Sequence, residues 1–163
     1  MNQAVQVVVN DHERFQELLD QHGGIAAKVV RTYCWDVEDQ RDLMQEISYQ
    51  LWRAFPSYDA SRSFSTWMYR IALNVAISFA RKPRIVTSEL AGHDEAKSNI
   101  SHSALALQAF MNQLDELNRA LLLLHLEDLS YQEIADILGI TASNVGTKLN
   151  RLKERIRNEL KLD

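Results

Sequence analysis

The chain has 163 residues, enough for one ordinary domain or two small ones. With 46% apolar and 25% charged residues it has the make-up of a folded soluble protein, which excludes a disordered chain. Its net charge of −4 and pI near 5.7, taken as averages, argue against a nucleic-acid binder.

Helical periodicity dominates from the first residues. Only "VQVVV" near the start alternates weakly, in the manner of a strand. A first helix is predicted over residues 11–21, with Phe15, Leu18 and Leu19 inward, and Gly23-Gly24 breaks it. A second covers residues 25–33. The acidic "DVEDQRD" opens a third, with carboxylates where a helix N-terminus favours them. Within "DQRDLMQEISYQLW", residues 39–52, Asp39, Asp42, Glu46 and Tyr49 share one helix face, and Leu43, Ile47 and Leu51 share another. The apolar stripe faces a core. The acidic stripe fits solvated surface, a carboxylate pair, a metal site or a face for a basic partner, and spacing alone does not choose.

Pro56 ends that helix, and "SYDASRS" makes a turn-rich connection. A fourth helix is predicted over residues 64–81, stopped by Pro83, with Trp67, Ile71 and Val75 on an inward stripe. Residues 55–74 interleave Phe55, Tyr58, Phe64, Trp67 and Tyr69 with Arg62 and Arg70. Aromatic faces with guanidinium groups suit unstacked single-stranded bases, although core packing is the commoner use of aromatics.

The polar, aperiodic "KPRIVTSELAGHDEAKSNISHS" then reads as a linker. Helical stripes resume with Leu107, Phe110, Met111 and Leu114, followed by Leu117, Leu121 and Leu124. The run "ALLLLHL" reads as a fully buried helix, since it is far below the roughly 20 residues that span a bilayer. No membrane insertion is expected. The start "MNQAVQVVVNDHERF" lacks the basic opening of a signal peptide, and the single cysteine, Cys34, fits a reducing, cytoplasmic setting. The expected fold is all-α: two small helical domains, 1–82 and 104–163, joined by a flexible linker at 83–103.

The most specific stretch is "LSYQEIADILGITASNVGTKLNRLKERIRNEL". Ser130 and Glu133 form a capping box that opens a short helix, with Ile134, Ala135 and Leu138 as its apolar face. Gly139 suits a tight turn, Ile140 is an apolar plug, and Thr141 caps a longer helix whose inner stripe is Val145, Leu149, Leu152 and Ile156. This is the grammar of a helix-turn-helix, at about residues 130–150. The second helix turns Ser143, Asn144, Thr147, Lys148 and Arg151 outward, short polar groups first and basic ones after, an order that suits base edges and then phosphates. Residues 141–161 hold six basic and two acidic residues, so the acidic average hides a segregated charge.

With these segments in order, the chain resembles the extracytoplasmic-function sigma factors of bacterial RNA polymerase, from about Phe15 to Leu160. "DQRDLMQEISYQLW" looks like the family's polymerase-docking segment, "SFSTWMYRIALNVA" like its promoter-melting segment, and the C-terminal stretch like its helix-turn-helix. The resemblance implies docking on the clamp helices of the polymerase's largest subunit through Asp39, Asp42, Leu43, Gln45, Glu46, Tyr49 and Trp52. It implies capture of the melted minus-ten element by Arg62, Ser63, Phe64, Trp67, Arg70 and Asn74. Duplex at the minus-thirty-five element would be read by Ser143, Asn144, Thr147, Lys148 and Arg151. Core polymerase and promoter DNA are the implied partners. Family members are often held by a cognate anti-sigma factor, so the resemblance admits one as well. No cofactor, metal or catalytic residue is expected.

Four positions depart from the family's common pattern. Gly146 stands for a lysine, Lys148 for an arginine, Ser78 for an aspartate and Asp115 for a proline. Lysine lacks the planar fork with which arginine reads guanine, and Gly146 either admits closer backbone approach or weakens the helix by about 1 kcal/mol. The rival readings are a helix-turn-helix regulator acting without polymerase, an enzyme, and a structural adaptor. The first usually dimerises, and the sequence offers no obvious dimer helix. The second would need partners that Cys34 and five scattered histidines do not supply, His125 in its leucine run reading as a core or near-surface residue. The third leaves the helix-turn-helix unexplained.

Overall fold

The computed structural model describes residues 2–83 and 102–160, with side chains from residue 10 onward; most of the expected linker, residues 84–101, lies outside the described residues. The described residues form eight α-helices and a short 3-10 turn, with no strand among them. In chain order these are α1 (Asn2–His22), α2 (Gly24–Tyr33), α3 (Val37–Ala54), the 3-10 turn (Phe55–Ser57) and α4 (Phe64–Arg81). The second half holds α5 (His102–Gln113), α6 (Glu116–Leu126), α7 (Tyr131–Leu138) and α8 (Ala142–Leu160).

The chemistry of each helix end sets these bounds. The Asp36 carboxylate accepts from the backbone N–H groups of Glu38 and Asp39 at 2.9 and 3.1 Å and starts α3. Ser63 does the same for α4 through Thr66 N–H. Asp115, where the family favours proline, caps α6 by accepting from Asn118 N–H at 2.8 Å. Two expectations need correction. "VQVVV" is helical and belongs to α1, because a lone strand has no neighbour to take its backbone hydrogen bonds and a helix satisfies them internally. "ALLLLHL" is not buried throughout: residues 120–124 are, but Leu126 is 51% exposed at the helix end.

In the first half, α2, α3 and α4 pack together around Val29, Leu43, Ile47, Leu51, Met68, Leu73 and Ala76, all at most 1% exposed. Phe15 from α1 closes this core against Phe55 and Trp52, with ring centroids 4.9 and 5.2 Å away. The predicted stripe of α4 is rotated. Trp67, Ile71 and Val75 are only half-buried, and Phe64, Met68, Tyr69, Ala72, Leu73 and Ala76 face the interior. In the second half, Phe110, Leu121, Leu124, Ile134, Val145 and Leu149 form the centre, joining α5 to α8. The halves also touch: α4 packs on α6 and α7, and α2 on α6.

Candidate docking and nucleic-acid interfaces

The outer face of α3 carries the acidic stripe. Asp42, Gln45, Glu46 and Tyr49 are exposed and Asp39 is half-buried. The Glu46 carboxylate accepts from Gln50 Nε2 at 2.9 Å, which holds it along the helix surface. Leu43 is fully buried beneath this face and supports the stripe from the core. Trp52 is 40% exposed, one edge against His12 and Phe15. Among the described residues no cluster of three or more His, Cys, Asp or Glu has the geometry to hold a metal ion.

Sequence reasoning missed what flanks the stripe. Between α2 and α3 runs a groove lined by Ala27, Val30, Val37 and Met44, with Arg31 and Arg41 at its edges. Val37 is 59% exposed and neighbouring Trp35 46%. The acidic face therefore borders an open apolar surface, the pairing found where charge steers and apolar contact holds. On the other side, Glu46 and Gln50 share a groove with Asn74, Ser78 and Lys82 of α4. Asn74 and Glu46 belong to different helices, so no single-helix periodicity could bring them together.

The aromatic-basic segment divides in two. Arg62, Ser63, Arg70 and Asn74 are exposed and Trp67 is half-buried. Phe64 is only 5% exposed, enclosed by His22, Tyr58 and Trp67 at 5.1 to 5.3 Å. It is a core residue packed against Trp67. Ser63 Oγ is occupied as the helix cap. Arg62 lies 3.7 Å from Asp59, a carboxylate held below its ordinary range by the backbone and hydroxyl of Ser61.

The helix-turn-helix follows its expected design. Ser130 Oγ accepts from Glu133 N–H at 3.2 Å, and the Glu133 carboxylate accepts from Ser130 N–H at 2.8 Å. Those hydrogen bonds lower the Glu133 pKa. Gly139 turns the chain at φ 69°, and Thr141 Oγ1 accepts from Asn144 N–H at 3.1 Å to start α8. Val145, Leu149 and Leu152 are buried and Ile156 is half-buried. Ile137, omitted from the expected apolar face of α7, is also buried. Ser143, Asn144, Thr147 and Arg151 are exposed, and Lys148 is half-buried at the edge of the row. Thr147 Oγ1 donates to the Ser143 carbonyl at 3.1 Å, so its hydroxyl retains only acceptor capacity for a base. The close approach at Gly146 is internal: a Cβ there would lie 3.4 Å from the Tyr131 ring. His125 is half-buried beside Tyr131, its pKa lowered by burial and then by Lys153.

Comparison with known proteins follows the same division. Residues 18–84 match the Sigma-70 region 2 family and residues 104–156 the Sigma-70 region 4 family. The chain is 26% identical to the ECF RNA polymerase sigma factor SigW of Bacillus subtilis, covering 96% of this chain and 94% of the relative. It is 28% identical to the ECF RNA polymerase sigma-E factor of Escherichia coli K12, covering 92% and 88%. The fold matches CnrH, solved in complex with the cytosolic domain of CnrY, with a TM-score of 0.70, 22% identity and coverage of 98% and 96%. It also matches the sigma factor RpoE of Bartonella quintana, solved with the anti-sigma factor NepR, with a TM-score of 0.64, 18% identity and coverage of 91% and 96%. Among the described residues no helix is long and apolar enough to cross a membrane.

Proposed function

We propose a division of labour for this chain, which belongs to the extracytoplasmic-function sigma factors of bacterial RNA polymerase. It binds core polymerase and directs promoter-specific initiation. The outer face of α3 (Asp39, Asp42, Gln45, Glu46, Tyr49 and the exposed edge of Trp52) docks on a basic face of the polymerase's largest subunit, at its clamp helices. The apolar groove beside it, with Val37 and Met44, adds buried area. Arg62, Trp67, Arg70 and Asn74 hold the melted minus-ten strand. Ser143, Asn144, Thr147, Lys148 and Arg151 read the minus-thirty-five duplex. An anti-sigma factor is a further partner, and the site of action is the cytoplasm, where polymerase works.

The observation that carries this reading is the segregation of charge between two exposed helix faces. α3 is acidic outside and α8 is basic outside, so one chain can face a basic protein and a polyanion at once. The chain itself needs no catalytic group. Its contribution is binding energy that is larger for melted than for duplex DNA, because a captured base offsets part of an unstacking cost of a few kcal/mol. Joining two weak DNA contacts on one scaffold raises their combined affinity through effective concentration.

Run-off transcription with core polymerase on a genomic library tests this. The expected result is start sites that require the protein and share two upstream elements. Sequence-specific binding to DNA with no protein-dependent transcript would instead fit a regulator acting without polymerase.

A further inference from the structure

Burial fixes which way α8 turns its outer face. Val145, Leu149 and Leu152 are its buried residues, and they set the direction of the core. At about 100° per residue, Thr147 stands nearly opposite that core, Ser143 about 30°, Asn150 and Arg151 about 50°, and Lys148 about 110° from the centre of the outer face. Exposure agrees with this rotation: Ser143, Thr147, Asn150 and Arg151 are exposed, and Lys148 is half-buried. Asn150 therefore stands nearer the middle of the outer face than Lys148 does, yet it has no assigned role.

The surroundings leave the Asn150 amide open. Among the described residues none hydrogen-bonds it, whereas the neighbouring Thr147 hydroxyl already donates to the Ser143 carbonyl. The residue one turn earlier, whose side chain would stand directly beside that of Asn150, is Gly146. Past Gly146 lies the Tyr131 ring, 3.4 Å from where a Cβ would be. Asn150 thus borders a flank with no side chain of its own. One turn later stands Glu154, an exposed acid that repels phosphate, so the row that suits DNA ends there.

Chemistry selects the ligand. A carboxamide presents an acceptor oxygen and a donor NH2 in one plane. In the major groove adenine offers the matching pair, the N6 amino donor and the N7 acceptor, while guanine offers two acceptors and suits a cation instead. Lys148, at the edge of the face, carries a point charge that reaches phosphate and reads no base pattern.

We propose that Asn150 reads an adenine of the minus-thirty-five element, its Oδ1 accepting from the N6 amino group and its Nδ2 donating to N7, and that Lys148 anchors phosphate. The proposal rests on the functional reading given above. It makes Ser143, Thr147, Asn150 and Arg151 the base-facing row.

The test uses the full-length protein with core polymerase, and duplexes carrying the upstream element found by run-off transcription, each with one base pair changed. For the wild-type protein, replacing one particular A·T pair by G·C should weaken the complex about tenfold. Putting 7-deazaadenine, which lacks N7, at that position should also weaken it. Asn150→Ala should bind the original, G·C and 7-deazaadenine duplexes alike, keep its dependence on every other position and keep the wild-type salt slope. Asn150 is exposed and alanine is the better helix former, so this variant is expected to fold. Lys148→Ala should keep every base preference and lower the salt slope by about 1. The proposal is overturned if Asn150→Ala keeps the wild-type dependence at every A·T pair, if it loses affinity uniformly with a reduced slope, or if the preference it loses is for a G·C pair. Transcription by the same preparations keeps the two claims apart. If wild-type protein supports no transcription, the functional reading fails; if transcription proceeds and Asn150→Ala changes no base preference, only the adenine contact fails.

Discussion

Two helices of nearly equal length, α3 with 18 residues and α8 with 19, are built alike and charged oppositely. Each buries a stripe at helical spacing, Leu43, Ile47 and Leu51 in one and Val145, Leu149 and Leu152 in the other. Each turns a polar stripe outward. The inner stripes say only that both helices belong to a core. In the function proposed here, the sign of the outer stripe separates a protein-facing surface from a DNA-facing one, and neighbouring elements refine it: an apolar groove beside α3, a capped short helix before α8. An average charge of −4 conceals this contrast.

The comparison can be broken from the inside first. Ile47→Ala and Leu149→Ala remove equivalent, fully buried side chains, so each should destabilise the protein by about 2–5 kcal/mol in denaturant unfolding. A loss well under 1 kcal/mol at either would mean that its stripe does not carry the core. The outer stripe of α8 comes next. Lys148→Ala with Arg151→Ala should weaken binding to the upstream duplex and reduce the salt slope by about 2, measured by titration at several ionic strengths. An unchanged slope would remove these residues from the phosphate contacts.

Smaller effects sharpen how α8 is presented. Gly139→Ala forces a Cβ into positive φ and should cost about 1 kcal/mol of thermal stability. Gly146→Ala goes the other way. The added Cβ meets Tyr131 at ordinary contact distance, so recovered helix propensity should stabilise by up to about 1 kcal/mol. A destabilised Gly146→Ala would show that the Tyr131 ring cannot accept even a methyl group.

Much of this was legible in the sequence because the chain is well punctuated. Asp36, Ser63, Pro83, the Ser130–Glu133 box and Gly139 each mark a helix end by their own chemistry, and α4 runs over the predicted residues 64–81. The misses have physical causes. "VQVVV" suits a strand residue by residue, but no partner strand exists among the described residues. Leu43 and Phe64 sit inside motifs that place them in contact sets, and their burial in this chain is a tertiary fact that a motif does not reveal. The Asn74–Glu46 groove, between the consecutive helices α3 and α4, and the cleft joining Arg62 and Arg70 to Glu133 and Asp136, between α4 and the distant α7, are tertiary and lie beyond any single helix's periodicity.

The central claim is that α3 faces protein and α8 faces DNA. It is tested most directly by measuring two affinities, for core polymerase and for upstream-element duplex, in two variants: Asp42→Lys with Glu46→Lys, and Lys148→Ala with Arg151→Ala. The first variant should lose about tenfold or more in polymerase affinity with duplex binding retained, and the second should show the reverse. Unchanged polymerase binding in the charge-reversed protein, or equal loss of both affinities in both variants, would contradict it.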